Sequence, residues 1–152
     1  SPRWQLQAGL TWQQSRYKRP EQWSENPEVA PVRQMFRTPD LYGYLTLNYD
    51  ITRHFNASLS GTYTGSMLVQ HMEGSGTDVD RAVTTPEFFD ANLKVTYEFK
   101  IFHNVGLDVS ASVMNIFNSY QRDFDKGHLR DSGYIYGPSL PRSLLASFKL
   151  HI

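Results

Sequence analysis

An alternation of period two, carried through segments too long for a small soluble domain, most constrains this chain. In its first stretch Trp4, Leu6, Ala8, Leu10 and Trp12 share one face of an extended backbone, and Gln5, Gln7, Thr11 and Gln13 share the other. That is a β-strand with one apolar side. The pattern returns in LYGYLTLNYDI from Leu41, in FNASLSGTYTGSM from Phe55 to Met67, in FDANLKVTYEF from Phe89, in VGLDVSASV from Val105, and from Ser143 to Ile152. These segments run to about 11 to 14 residues, whereas strands of globular proteins usually have about 5 or 6.

The connections alternate as sharply as the residues do. Thr52, Arg53 and His54 turn the chain between the second and third segments, and Lys100 to Asn104 between the fourth and fifth. Lys18 to Asp40, Leu68 to Glu87 and Ser119 to Leu140 are instead roughly twenty residues each, beyond the length at which structureless loops become uncommon in compact domains. In an antiparallel meander all three fall at one end of the sheet. A transmembrane β-barrel accounts for this, because it needs strands of at least about 9 residues, apolar outside and polar inside, with tight periplasmic turns and long external loops. A soluble β-sandwich also alternates, but strand length and one-sided loops weigh against it.

Charge follows the same division. Asp50, Asp90, Lys94, Glu98, Asp108 and Lys149 all fall on the polar phase, which predicts that they face a lumen. Trp4, Tyr49, Phe55 and Phe99 cluster near the short turns, and Trp12, Tyr63 and Phe89 near the long loops, as two interfacial girdles do. No run approaches the roughly 18 apolar residues of a membrane-spanning helix. Fifteen basic residues balance fifteen acidic ones, so no basic stripe points to nucleic acid. The chain has no cysteine, hence no disulfide or thiolate metal site. Six strands are too few to close a barrel, the smallest having about eight, and the chain opens at Ser1 and Pro2 without a methionine or signal segment. Further strands are therefore expected before Ser1, and the last strand, regular to Ile152, is expected to pair with the first strand of the barrel.

From Val113 onward the residues resemble the C-terminus of TonB-dependent outer-membrane receptors. VMNIFNSYQRDF is similar to the family's penultimate strand, where an Asn-Ile/Leu-Phe-Asn segment leads into the last external loop. SGYIYGPSLPRSLLASFKL is similar to its closing sequence, with Tyr134, Gly137, Pro138, Pro141 and Arg142 at matching places. The hairpin LYGYLTLNYDITRHFNASLSGTYTG is similar in a less specific way. The family usually closes on an aromatic residue, whereas this chain ends on Ile152 with Phe148 four places earlier. The resemblance implies an all-β fold in which residues 1–152 are an antiparallel meander of six long transmembrane strands. It makes them the C-terminal portion of an outer-membrane barrel of about 22 strands, without its plug.

The function implied is energy-coupled uptake of a scarce nutrient such as a ferric siderophore, haem or cobalamin. A glycan or peptide importer of the same family, a passive porin and a soluble carbohydrate-binding β-sandwich are the alternatives. The implied partners are the rest of the barrel and its N-terminal plug, outer-membrane lipid, an inner-membrane energy-transducing complex acting through the plug, and a small-molecule or metal-chelate substrate. The glycan alternative adds a surface lipoprotein. The implied location is the bacterial outer membrane, and no cofactor or nucleic-acid partner is expected.

The chain carries no nucleophile motif, no phosphate-binding glycine loop and no histidine pair at ligand spacing, so no catalytic residue and no enzymatic activity are expected. His54, His103 and His151 belong to the periplasmic rim as solvated polar residues, while His71 and His128 fall in the outer loops, where substrate is met. DFDKGHLRDSGYIYG is the densest polar and aromatic stretch. Its Arg130, Tyr134 and Tyr136 are residues that pair with or stack on an anionic, ring-bearing substrate; packing of the loop on its neighbours is the other reading. Asp123, Asp125 and Asp131 echo a calcium loop only weakly, because Gly127 is out of place and the closing glutamate is missing.

Overall fold

The computed structural model describes residues 3–103 and 105–152. Ser1 and Pro2, where the sequence opens, and Asn104, at the end of the second short turn, lie outside the described residues. Ten strands follow one another: β1 (Trp4–Trp12), β2 (Arg16–Glu21), β3 (Val32–Gln34), β4 (Leu41–Asp50), β5 (Phe55–Thr64), β6 (Leu68–His71), β7 (Arg81–Thr84), β8 (Phe88–Phe102), β9 (Val105–Met114) and β10 (Ser143–His151). There is no helix among the described residues. Six of the strands form one antiparallel sheet in the order β1-β4-β5-β8-β9-β10, and the other four make two small hairpins, β2–β3 and β6–β7.

Register is what turns six separate alternations into one surface. Leu6 lies opposite Leu47, Leu47 opposite Leu59, Leu59 opposite Leu93, Leu93 opposite Val113 and Val113 opposite Leu144, so one apolar row crosses the whole sheet. A slip of one residue at any pairing would have broken that row. On the other face Lys94 sits between Ser58 and Ser112, and Glu98, Asp108 and Lys149 lie side by side. All four fall on the polar phase, as their spacing predicts.

The apolar face is not packed against a second sheet. Trp4, Leu6, Leu10, Trp12, Phe99, Leu144 and Phe148 are each more than 45% exposed there, which is incompatible with a sandwich core and is what a bilayer-facing wall requires. The aromatic bands are also present: Phe55 and Tyr97 approach to 6.2 Å and Tyr97 and Phe99 to 4.6 Å near the short turns, while Phe89 packs on Phe117 at 5.3 Å near the loops.

Three expectations are corrected. Most strands are shorter than predicted, with 9 or 10 residues, and only β8 reaches 15. The third segment ends at Thr64 rather than Met67, because the chain turns away where the Gly65 N–H donates to the Leu41 carbonyl at 2.8 Å. Met67 is therefore buried among the loops instead of facing lipid. Two of the long connections are not structureless, since β2–β3 and β6–β7 stiffen them. A hairpin satisfies its own backbone groups, which a long irregular loop cannot do without water.

The third long connection has no strand and is fixed at its ends by asparagine. Asn115 and Asn118 adopt φ of 49° and 55°, a left-handed conformation that asparagine tolerates better than most residues. The Asn115 amide accepts from the Ser119 N–H at 2.9 Å and donates to the carbonyls of Ser119 and Leu140 at 3.2 and 3.0 Å. Its backbone N–H donates to Asn92 Oδ1 at 2.9 Å, and Asn118 Oδ1 accepts from the Arg142 N–H at 2.9 Å. One short segment thus stops β9, starts the loop and holds the chain where it returns to β10.

Candidate functional site at the outer mouth

The three long connections meet in one body above the sheet. Met67, just before β6, and Val69 and His71 within it alternate and turn the same side inward, where Met67 and Val69 pack with Tyr134, Val83 and Tyr136. His71 stacks on the Tyr134 ring at 3.8 Å with the planes 8° apart, and its Nε2 lies 3.0 Å from both carboxylate oxygens of Asp125. Both partners are largely buried, with side chains 11% and 4% exposed. A β-carbon on Gly76 would overlap the Asp125 carboxylate, so the tip of the second loop must be bare for that acid to fit. The first loop joins through Ser24, whose hydroxyl donates to Asp80 at 2.6 Å.

Tyr134 and Tyr136 point their hydroxyls at a single acceptor. They donate to the two oxygens of Asp123 at 3.0 and 2.7 Å. Desolvation by itself would raise the Asp123 carboxyl, but the hydrogen bonds from Tyr136 and Tyr134 outweigh it and hold the group below the ordinary carboxylate range. Burial and the same bonds push the Tyr134 hydroxyl up to about 12 and raise Tyr136 as well. Behind them Gln121, only 1% exposed, receives the Tyr136 N–H at 2.8 Å and donates to the Tyr134 carbonyl at 3.0 Å.

Of the residues singled out from the sequence, the structure brings His71, Tyr134, Tyr136, Asp123, Asp125 and Asp131 together and leaves His128 and Arg130 exposed on the loop surface. The three aspartates already accept from protein donors: Asp123 from the tyrosines, Asp125 from His71 and the Asp131 N–H, Asp131 from the N–H groups of Met72 and Gly133. Among the described residues no group of three or more His, Cys, Asp or Glu side chains is placed to hold a metal. At the opposite end of the sheet His54 lies 3.5 Å from Glu98 and His151 2.7 Å from Asp108.

Beneath the loop body lies a crevice of about 480 Å³ that the sequence reading missed, lined by Gln13, Arg37, Pro39, Tyr42, Tyr44 and Thr62 among others, so that polar groups are set into a largely apolar surface. The two tyrosines and Thr62 belong to the polar phase of β4 and β5, so they face the lumen. Arg37 has φ of 56°, a strained conformation for a bulky residue. Its guanidinium donates to the Gly133 carbonyl and, at 2.9 Å, to that of Ile135. Both acceptors are neutral, and no carboxylate pairs with Arg37 among the described residues, so no ion pair neutralises its charge. Two tyrosines on the polar phase were visible as a signal; nothing in the sequence separates Arg37 from Arg33 or Arg19.

Long lipid-facing strands, a polar inner face, short turns at one end and a knitted loop body at the other define a wall segment of an outer-membrane β-barrel. Within that class the chain resembles a TonB-dependent receptor. Its whole length superposes with a TM-score of 0.69 and 25% identity on the crystal structure of the ferric-catecholate import receptor Fiu from E. coli, in its closed form, covering 100% of this chain and 19% of that one. The chain thus spans about a fifth of the receptor it matches. No protein-family model and no curated protein matches it.

Proposed function

We propose that this chain supplies six strands of wall and three external loops to an outer-membrane receptor that takes up a scarce nutrient by energy coupling, and that the nutrient is an anionic, ring-bearing metal chelate of the ferric-catecholate kind. The observation that carries this reading is the crevice under the loops. An unneutralised guanidinium suits a polyanionic chelate, and Tyr42 and Tyr44 offer ring faces and hydroxyls beside it. The similarity to a receptor named for ferric-catecholate import supports the same class. A plug ahead of the barrel, an inner-membrane complex pulling on it and placement of this chain as the last six strands complete the proposal. His128 and Arg130, exposed on the third loop, are assigned to first contact with the substrate. Tyr134, Tyr136 and His71 are assigned to holding the loops in shape.

The test is ligand binding by the intact receptor. Ferric tris-catecholate should quench its tryptophan fluorescence saturably, and Arg37→Gln should weaken binding by about tenfold, the loss of one charge-assisted hydrogen bond. Displacement of that chelate by haem or cyanocobalamin, or an unchanged affinity in Arg37→Gln, would refute the assignment.

A further inference from the structure

We propose that the lipid-facing side of this wall carries a groove that holds one acyl chain of a membrane lipid. On the outward face the apolar phase loses its side chains altogether at Gly43 and Gly61, which fall on neighbouring strands beside the small Ala8 and Ala91. Gly43 lies opposite Tyr63, and Gly61 opposite Leu45, so the two absent side chains are diagonal neighbours and leave a continuous trough. Its volume is about 490 Å³; Gly43, Gly61 and Ala8 form the floor, and Leu10, Tyr63 and Phe89 form the walls. No charged group lines it.

The two glycines are there for different reasons. A β-carbon on Gly43 would stand 2.6 Å from the Gly9 carbonyl oxygen, so close strand packing leaves room for nothing larger. A β-carbon on Gly61 would meet nothing nearer than the Phe89 ring at 3.6 Å, an ordinary contact, and its backbone does not need the left-handed region. Glycine inside a strand costs stability and often marks a place where something else approaches closely. Local packing does not demand the gap at Gly61.

Position selects the occupant. The trough continues the apolar rows that face the bilayer, and its walls Tyr63 and Phe89 belong to the aromatic band on the loop side of the sheet. Hydrocarbon covers that surface, and a narrow concave trough takes a slender chain. This inference is independent of which substrate is imported.

The experiment is photo-crosslinking in the intact receptor, in nanodiscs of phosphatidylethanolamine and phosphatidylglycerol. The variant Phe89→benzoylphenylalanine places the probe at the trough, and Phe99→benzoylphenylalanine places it on the same face outside. The trough probe should give a lipid adduct in at least about fivefold higher yield, as expected where a pocket covers most of its ligand. Adding Gly61→Leu should bring the yield down to that of the reference probe. Heat-modifiable gel migration reports whether each variant folds, and Gly61→Ala, whose methyl meets Phe89 at contact distance, repeats the comparison if leucine is not accepted. Equal yields from the two probes, a protein adduct in place of lipid, or a yield indifferent to both Gly61 variants would overturn the proposal.

Discussion

At Asn115 one side chain performs tasks that usually need several residues. Left-handed backbone, three amide hydrogen bonds and a backbone bond to Asn92 all converge on a residue that is 4% exposed. Asn115→Ala should cost about 3 kcal/mol, from the lost bonds and the strain at positive φ, and Asn115→Gly should recover about 1 kcal/mol of that by relieving the strain. Urea unfolding of the intact barrel in vesicles measures both; equal losses would show that backbone strain contributes nothing. The Asp123 cluster makes a pH prediction at the same scale. A carboxyl lowered in the folded state stabilises above its unfolded value of about 3.9 and loses that contribution as pH falls through the folded value. A phenol raised to about 12 stabilises below its unfolded value of about 10 and loses that contribution as pH rises toward the folded one. Limited proteolysis of residues 115–142 should therefore be slow between about pH 4 and 10 and fast outside that window. Asp123→Ala should make it fast throughout.

At the scale of the strand, the two faces of the sheet obey different solvents. Leu93 sits in the mid-height apolar row, whereas Thr46 lies on the polar face between Gln7 and Ser60. Leu93→Lys should destabilise the barrel by about 2 to 4 kcal/mol, the cost of a lysine near the bilayer midplane. Thr46→Lys should change stability by less than about 1 kcal/mol, because its charge enters a polar lumen. Equal effects would mean that the apolar face does not lie in lipid. The same logic separates β6 from the long strands. The alternation of Met67, Val69 and His71 leading into and along it serves a protein interior rather than a membrane, and the partner of His71, Asp125, lies far along the chain.

Among the described residues the six long strands form an open sheet whose edges are β1 and β10. In lipid each unpaired backbone group costs several kcal/mol, and in water the outward face exposes Trp12, Leu10 and Phe148, each over 70% accessible. The 152-residue chain expressed alone should therefore aggregate without detergent and show no cooperative melt. A monodisperse, water-soluble monomer by size-exclusion chromatography, melting cooperatively by circular dichroism, would contradict the membrane assignment. The loop body has its own cohesion, since His71–Asp125, Arg37 on loop carbonyls and Ser24–Asp80 each join two different loops.

What the sequence determined by itself was everything that depends on neighbours two apart. Period-two alternation assigned the face of Lys94, Glu98, Asp108 and Lys149 and the apolar side of each long strand, because a strand repeats every two residues whatever surrounds it. It went wrong where alternation continued past a turn, at Met67, and where short hairpins hid inside polar stretches, at β2–β3. Tertiary structure alone decided which loop residues meet. Asp125 finds His71 54 positions away and Arg37 finds Ile135 98 positions away. It also brought the hydroxyls of Tyr134 and Tyr136 onto Asp123. Loop encounters of that kind are set by how three separate connections pack above the sheet, and no local period records them.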